Sequence, residues 1–258
     1  MKTVTLISKK TTSVLFGMII IVMFTFTAAA VRMGASPKSA PEAIEIAKKQ
    51  HQYLFILFYD KKDDSYQAMG ATIKKFMNRY SGKVLTYQVL TTNKKEIDTV
   101  ARYKVDQAQC PVLVALAPNG AVTGVFSQMV DEQQLRNCLV SDLIMNILKS
   151  TQEGKIVLAL FQNKKTKFNQ ESTSAAISLS NEPGLKGSVA IIKADPDVPK
   201  NKEYLAQYLA DPSLSEAAII LIMPSGNIGG IYRGKTTKNI ILNDVTSALN
   251  GSQCSSWQ

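Results

Sequence analysis

The chain has no Cys-x-x-Cys pair and only three cysteines, Cys110, Cys138 and Cys254. It has a single histidine, His51. Structural zinc takes four Cys or His ligands, usually in closely spaced pairs, so this inventory excludes such a site. One histidine also leaves no serine–histidine triad unless His51 serves it. His51 stands just before an apolar run and reads as a surface residue. There is no basic stripe interleaved with aromatics. The formal charge is +10, but the lysines come in short pairs, Lys61-Lys62, Lys74-Lys75, Lys94-Lys95 and Lys164-Lys165, beside acidic or polar neighbours. That spread does not point to nucleic acid. Attraction to an anionic membrane surface stays compatible with it. No metal and no cofactor is expected.

What the chain does have is a globular composition, 258 residues with 45% hydrophobic and 19% charged. That length suits one large domain or two ordinary ones. Near the N-terminus, Lys2, Lys9 and Lys10 precede an uncharged run from Ser13 to Val31, which Arg32 closes. Basic residues on that side predict that it stays cytoplasmic and that the rest is exported. Two outcomes fit. A signal peptide would end at Ala28-Ala29-Ala30, where small residues suit cleavage, and the product would be secreted. A retained anchor needs about 20 apolar residues, and residues 13–31 nearly supply them. The anchor reading places a single-pass protein in the cell membrane, its bulk on the periplasmic or extracellular side. No later run is long enough to span.

After residue 35 the chain alternates strand-like and helix-like segments. A helix is expected over Pro41–Gln50 with Ser39 as cap. Tyr53–Tyr59 is an unbroken apolar run, as in a strand buried on both faces. Met69, Ile73, Phe76, Met77 and Tyr80 recur at helical spacing within Ser65–Tyr80. A strand over Val84–Leu90, a helix over Lys94–Tyr103, and strands over Val112–Ala117 and Ala121–Phe126 follow. A last helix begins at Asp131, with Gln134 completing a capping box and Leu135, Leu139, Leu143 and Ile147 as its buried stripe. The order then repeats: strands at Ile156–Phe161 and Ser188–Ala194, a helix at Lys202–Ala210, strands at Ala217–Met223 and Ile228–Tyr232, and a helix at Thr237–Leu249. The segment Lys164–Gly187, rich in Ser, Thr and Asn, carries the least defined helix. APNGAVTGVF (Ala117–Phe126) lies over MPSGNIGGIY (Met223–Tyr232), with Pro118 and Pro224 106 positions apart. A single repeat at that spacing is a duplicated domain, not a solenoid. The expected division is 1–35 signal or anchor, 36–150 first domain, 151–250 second domain and 251–258 tail, with a linker at Ser150–Gly154.

Strand, helix, strand, helix, hairpin and helix is the order of the thioredoxin fold. The first half resembles that superfamily in two motifs, FYDKKDDSYQAMGATIKKFMNRYSGK and CPVLVALAPNGAV. The resemblance covers about Pro41 to Leu148, and the second half is similar more loosely. It implies an α/β fold of two tandem thioredoxin-like domains, each a central mixed sheet flanked by helices, after an N-terminal transmembrane or signal helix. It also implies that Pro111 is the family's cis-proline. The redox pair of the family falls on Asp63 and Tyr66. Neither can form a thiolate or a disulfide. The stretch keeps a helix start instead: Asp64 with Gln67 is a capping pattern, and a carboxylate there suits the helix dipole. The acidic pair Asp63-Asp64 either caps the helix beside Lys61-Lys62 or contacts a partner. In the second half the place of Pro111 falls to Ala217. A cis bond without proline costs about 2.5–4 kcal/mol, so that edge is expected to be trans and reshaped.

Cys110 precedes Pro111, and the resemblance makes it face the helix-start loop. It is either a small filler or a lone thiol able to form mixed disulfides. Cys138 stands beside Leu135 and Leu139 and reads as core, with a bridge to Cys110 left open. Cys254 lies in the tail and offers a route to a dimer in an oxidising compartment. The function expected from this is a redox-inactive, exported and membrane-tethered module that binds other proteins, an assembly or scaffold role without enzymatic activity. Asp63, Asp64, Tyr66, Cys110 and Pro111 are the candidate binding residues. The alternatives are a single-thiol oxidoreductase using Cys110 and a structural subunit of a membrane complex.

Overall fold

The computed structural model describes residues 36–254, with side chains through residue 250. The apolar run at 13–31 and the side chain of Cys254 lie outside the described residues. Among the described residues, no helix is long and apolar enough to cross a membrane. Within the described residues, 37–254 make up one compact unit.

Eight strands form two four-stranded sheets. The first contains β1 (Tyr53–Tyr59), β2 (Val84–Leu90), β3 (Val112–Leu116) and β4 (Val122–Ser127) in the order β2-β1-β3-β4. The second contains β5 (Ile156–Phe161), β6 (Val189–Ala194), β7 (Ala218–Ile222) and β8 (Ile228–Arg233) in the order β6-β5-β7-β8. In each, the first pair is parallel and the other two are antiparallel. The halves therefore share one topology, that of the thioredoxin-like domain expected from the element order. β1 and β5 are central, which is why their sequences are apolar without alternation.

Each sheet is covered on both faces. In the first half α1 (Ala40–Lys49) and α3 (Ile97–Arg102) pack over Leu54, Ile56 and Phe58, while α2 (Asp64–Arg79) and α4 (Glu132–Asn137) pack over Phe55 and Leu57. α1 brings three alanines, Ala40, Ala43 and Ala47, to the sheet, so helix and strand approach closely. Ser39 caps it, as expected. Its first amide is also held by a carboxylate: Ala40 N–H donates to both oxygens of Glu96, at 3.0 and 3.2 Å. Glu96 is buried at 2% exposure, and Tyr87 donates a further bond to it at 3.1 Å. A buried carboxylate needs such donors, since an unpaired one would be costly.

Two expectations change here. The single helix from Asp131 is two helices, α4 and α5 (Asp142–Gln152). Asp131 and Gln134 do form the capping box. The stripe Leu135, Leu139, Leu143, Ile147 is divided, however. Leu135 belongs to the first sheet's core, whereas Leu143 and Ile147 pack on Val157, Ala159 and Phe161 of the second. Ser141 takes an extended backbone and starts a new helix, with Asp142 at its first position, and that signal overrides continuous helical spacing. α5 is thus the counterpart of α1. The segment Ser150–Gly154, expected as a linker, is the end of α5 and its turn, and the chain passes between the two packing units at Leu139–Ser141.

α5 also touches the first half. Asn119 Nδ2 donates to the Met145 carbonyl at 2.8 Å. Gln152 accepts from Val122 N–H at 2.9 Å and donates to the Val122 carbonyl at 2.8 Å. Tyr53 donates its hydroxyl to the Val140 carbonyl at 2.6 Å. In the second half, α6 (Asn169–Ser180) and α8 (Lys238–Cys254) cover the face of Leu158 and Leu160, and α7 (Pro199–Leu205) joins α5 on the other. α7 begins earlier than the expected Lys202 because Pro199 opens its first turn.

Candidate functional site

The end of β1, the loop before β3 and the loop after β4 meet at one end of the first sheet. Between them lies a groove of about 620 Å³. Asp60 and Asp63 form one wall, Asp106 and Gln109 another, and Gln128 and Met129 the third, with Cys110 among them. Three carboxylates face one lysine, Lys61, which sits 3.7 Å from Asp63. Met129 is 75% exposed.

The local sequence explains these placements. Asp63 has extended backbone, and its Oδ1 accepts Tyr66 N–H at 3.0 Å. It is Asp63 that caps α2, and Asp64 is the first helical residue. The Asp64–Gln67 capping pattern is therefore displaced by one residue. Gln128 has φ 68, which turns the chain sharply after β4, and it donates from Nε2 to Gln109 Oε1 at 2.8 Å. The Cys110–Pro111 bond is cis, as the resemblance implied.

Beside Pro111 the backbone is bare. Among the described residues, neither the N–H nor the carbonyl of Gln109 or Cys110 has a backbone partner. Cys110 and Cys138 are both free thiols. Burial pushes the Cys110 thiol above its ordinary pKa, the Asp60 charge adds to this, and a backbone hydrogen bond from Asp60 opposes it. That is the reverse of the lowered pKa an attacking cysteine has. Cys138 is core, as expected, and burial pushes its pKa up to about 11.

Of the five residues singled out in the sequence, Asp63 and Cys110 line the groove and Pro111 adjoins it. Asp64 is exposed and outside its lining, and Tyr66 turns inward. Tyr66 is 7% exposed, packs on Tyr59 at 4.8 Å and donates to Gln88 Oε1 at 2.8 Å. Where the family has its second sulfur, this chain has a tyrosine tying α2 to the edge strand β2. Asp60, Asp106, Gln109, Gln128 and Met129 were not legible as site residues. They come from three separate loops, and no spacing links them.

In the second half the corresponding place is covered by the chain itself. It shares with the groove the turn after β8, where Gly234 donates to the Ala217 carbonyl at 2.8 Å, as Gln128 does to Pro111 at 2.9 Å. The cis bond is absent at Ala217. Lys167 pairs in parallel with Glu216 there, and the edge is closed by the chain's own backbone.

No family model matches the chain, and no curated protein matches it. Several solved structures are similar to it. The thioredoxin Deadhead of Drosophila melanogaster aligns at 23% identity over 40% of this chain and 93% of its own, with a TM-score of 0.32. The first two thioredoxin domains of Saccharomyces cerevisiae Eps1p align at 11% identity over 79% of this chain and 94% of their own, with a TM-score of 0.31. Zinc-bound human ERp44 aligns at 14% identity over 80% of this chain and 55% of its own, with a TM-score of 0.33.

Proposed function

We propose that the chain is a protein-binding module without dithiol chemistry, exported and held at a membrane by residues 13–31, and that its working surface is the groove of the first domain. The observation that carries this reading is the bare backbone at Gln109–Cys110 above an acidic groove. Unpaired backbone of that kind accepts an extended segment by main-chain hydrogen bonds, with side-chain pockets adding selectivity. Asp63 and Tyr66 supply no sulfur for exchange, and the raised pKa of Cys110 leaves little thiolate. The uncharged run Ser13–Val31 behind three lysines supports the tether.

Two measurements on the full chain test it. A photoreactive side chain at Met129 should crosslink to protein in intact membranes, whereas the same group at exposed Ile177, on α6, should not. Turnover of a protein disulfide with a dithiol reductant should be at background. Turnover abolished by Cys110→Ser would replace this reading with a single-thiol oxidoreductase.

A further inference from the structure

A separate cleft of about 450 Å³ runs between α2 and the edge strand β2. Its floor is Phe55, Leu57 and Ile73, all buried. Tyr66 donates its hydroxyl to Gln88 Oε1 at 2.8 Å, so a bridge from helix to strand closes one end. On the helix side, Tyr66, Gly70, Ile73 and Lys74 follow one another at intervals of three and four residues or adjoin, which places them along one stripe. Tyr66 and Lys74 are separated by two turns and a little more, a rise of about 12 Å. Spread along that stripe, the volume makes a narrow channel rather than a round pocket.

Gly70 opens this channel. Glycine is a poor helix former, and no close approach calls for it here, since nothing lies within 4 Å of where its Cβ would stand. The second domain shows the alternative. α2 buries Tyr66, Met69 and Ile73, and α6 buries Ser172, Ala175 and Leu179 at the same spacing. The offset between the two sets is again 106 positions, as between Pro118 and Pro224. Gly70 then matches Ala176, which is 0% exposed and packed in the core with Leu158 and Leu160. The position is covered in one domain and left open in the other. The rim of the channel adds a charge. Lys75 pairs with Glu132 at 3.8 Å. Lys74, which lines the channel, has no carboxylate partner among the described residues.

We infer that this channel binds a small amphiphile of the fatty-acid class, a single unbranched aliphatic chain ending in a carboxylate. The chain lies over Gly70 against Phe55 and Leu57 and stops at the Tyr66–Gln88 bridge, and the carboxylate meets Lys74. Removing the chain's apolar surface from water drives binding, and the unmatched ammonium at the rim selects the sign of the head group. A narrow apolar channel with one charged group at its rim is the usual form of a small-molecule site. The site is separate from the groove at Cys110 and needs no protein partner there.

The test uses the full chain in lipid discs with octanoate, with octanol as the uncharged control, and with a diazirine-bearing octanoate that marks the site by mass spectrometry of the labelled peptides. The expected result is saturable labelling within residues 66–77, displaced by octanoate and at least ~10-fold less well by octanol. Gly70→Leu should weaken octanoate binding at least ~10-fold. Leucine is a good helix former placed in open space, so the unfolding midpoint of this variant should not fall, and lost binding is then not lost fold. Lys74→Glu should weaken octanoate by a similar factor and leave octanol unchanged. Labelling that falls elsewhere, or octanoate binding unchanged in Gly70→Leu, would overturn the site. Octanol competing as well as octanoate would overturn the carboxylate class.

Discussion

Gln152 and Val122 exchange two hydrogen bonds, the amide side chain of one with both backbone groups of the other. Gln152 ends the helix that packs on the second sheet, and Val122 begins the edge strand of the first. The two domains are joined at this point by a pairing that resembles one rung of a sheet.

Replacing that side chain should loosen the junction. Gln152→Ala leaves both Val122 groups to water at the edge, so a loss of about 1–2 kcal/mol is expected. Urea unfolding should show a lower midpoint. Limited proteolysis should leave Ser150–Gly154 uncut in the natural chain and cut it in the variant. Ready cleavage there in the natural chain would contradict the pairing.

Lys167→Pro removes the N–H that bonds Ser215. The Ala217 amide, bonded to the Lys167 carbonyl in the natural chain, should then exchange with solvent at least 10-fold faster, while amides of β5 stay protected. Unchanged protection at Ala217 would mean that the loop is held by its Asn163–Thr166–Asn169 network alone.

The Cys110 thiol should react slowly with iodoacetamide. Burial and the Asp60 charge raise its pKa, so less thiolate is present at a given pH than in a free cysteine. Its rate profile should lie at higher pH than that of a free cysteine. Asp60→Asn removes the like charge and should move the profile back down. A profile that begins below that of free cysteine would refute this.

Tyr53 gives a stability signal in alkali. Burial, followed by the charges of Asp142 and Cys138, pushes its pKa up to about 12. An unfolded tyrosine titrates near ~10. The folded value is the higher one, so the contribution is whole below pH ~10 and is lost as pH rises from ~10 to about 12. Denaturation midpoints of the natural chain and Tyr53→Phe should differ at pH 8 and converge across that window. A constant difference would show that the hydroxyl contact with Val140 is not what stabilises.

Much of the fold could be read from the chain because burial writes itself into sequence. β1 and β5 are apolar at every position since both faces are covered. Ser39 and Asp131 announced helix starts by side-chain chemistry. α6 was poorly defined for the converse reason. It buries Ser172, Ala175, Ala176 and Leu179, of which only Leu179 is large and apolar, and Phe168 precedes it without a side-chain cap. The break at Ser141 was missed because Leu135 through Ile147 keep helical spacing across it. Asp63 and Cys110 were found through the resemblance. Asp60, Asp106 and Met129 meet only when strand order brings three loops together. The trans, reshaped edge at Ala217 was legible, but its closure by Lys167 is a backbone contact and has no side-chain signature.

Glu96 has a mechanical consequence. Its two oxygens hold the first amide of α1 from a buried position 56 residues along the chain. Any pull reaching the domain from residues before Ala40 arrives at this clamp before it reaches the alanine face of α1. The single amide is shared between the two oxygens at 3.0 and 3.2 Å, and the contact sits at the entry rather than along the helix. The contact ties the start of α1 to the α3 segment and, through Tyr87, to β2.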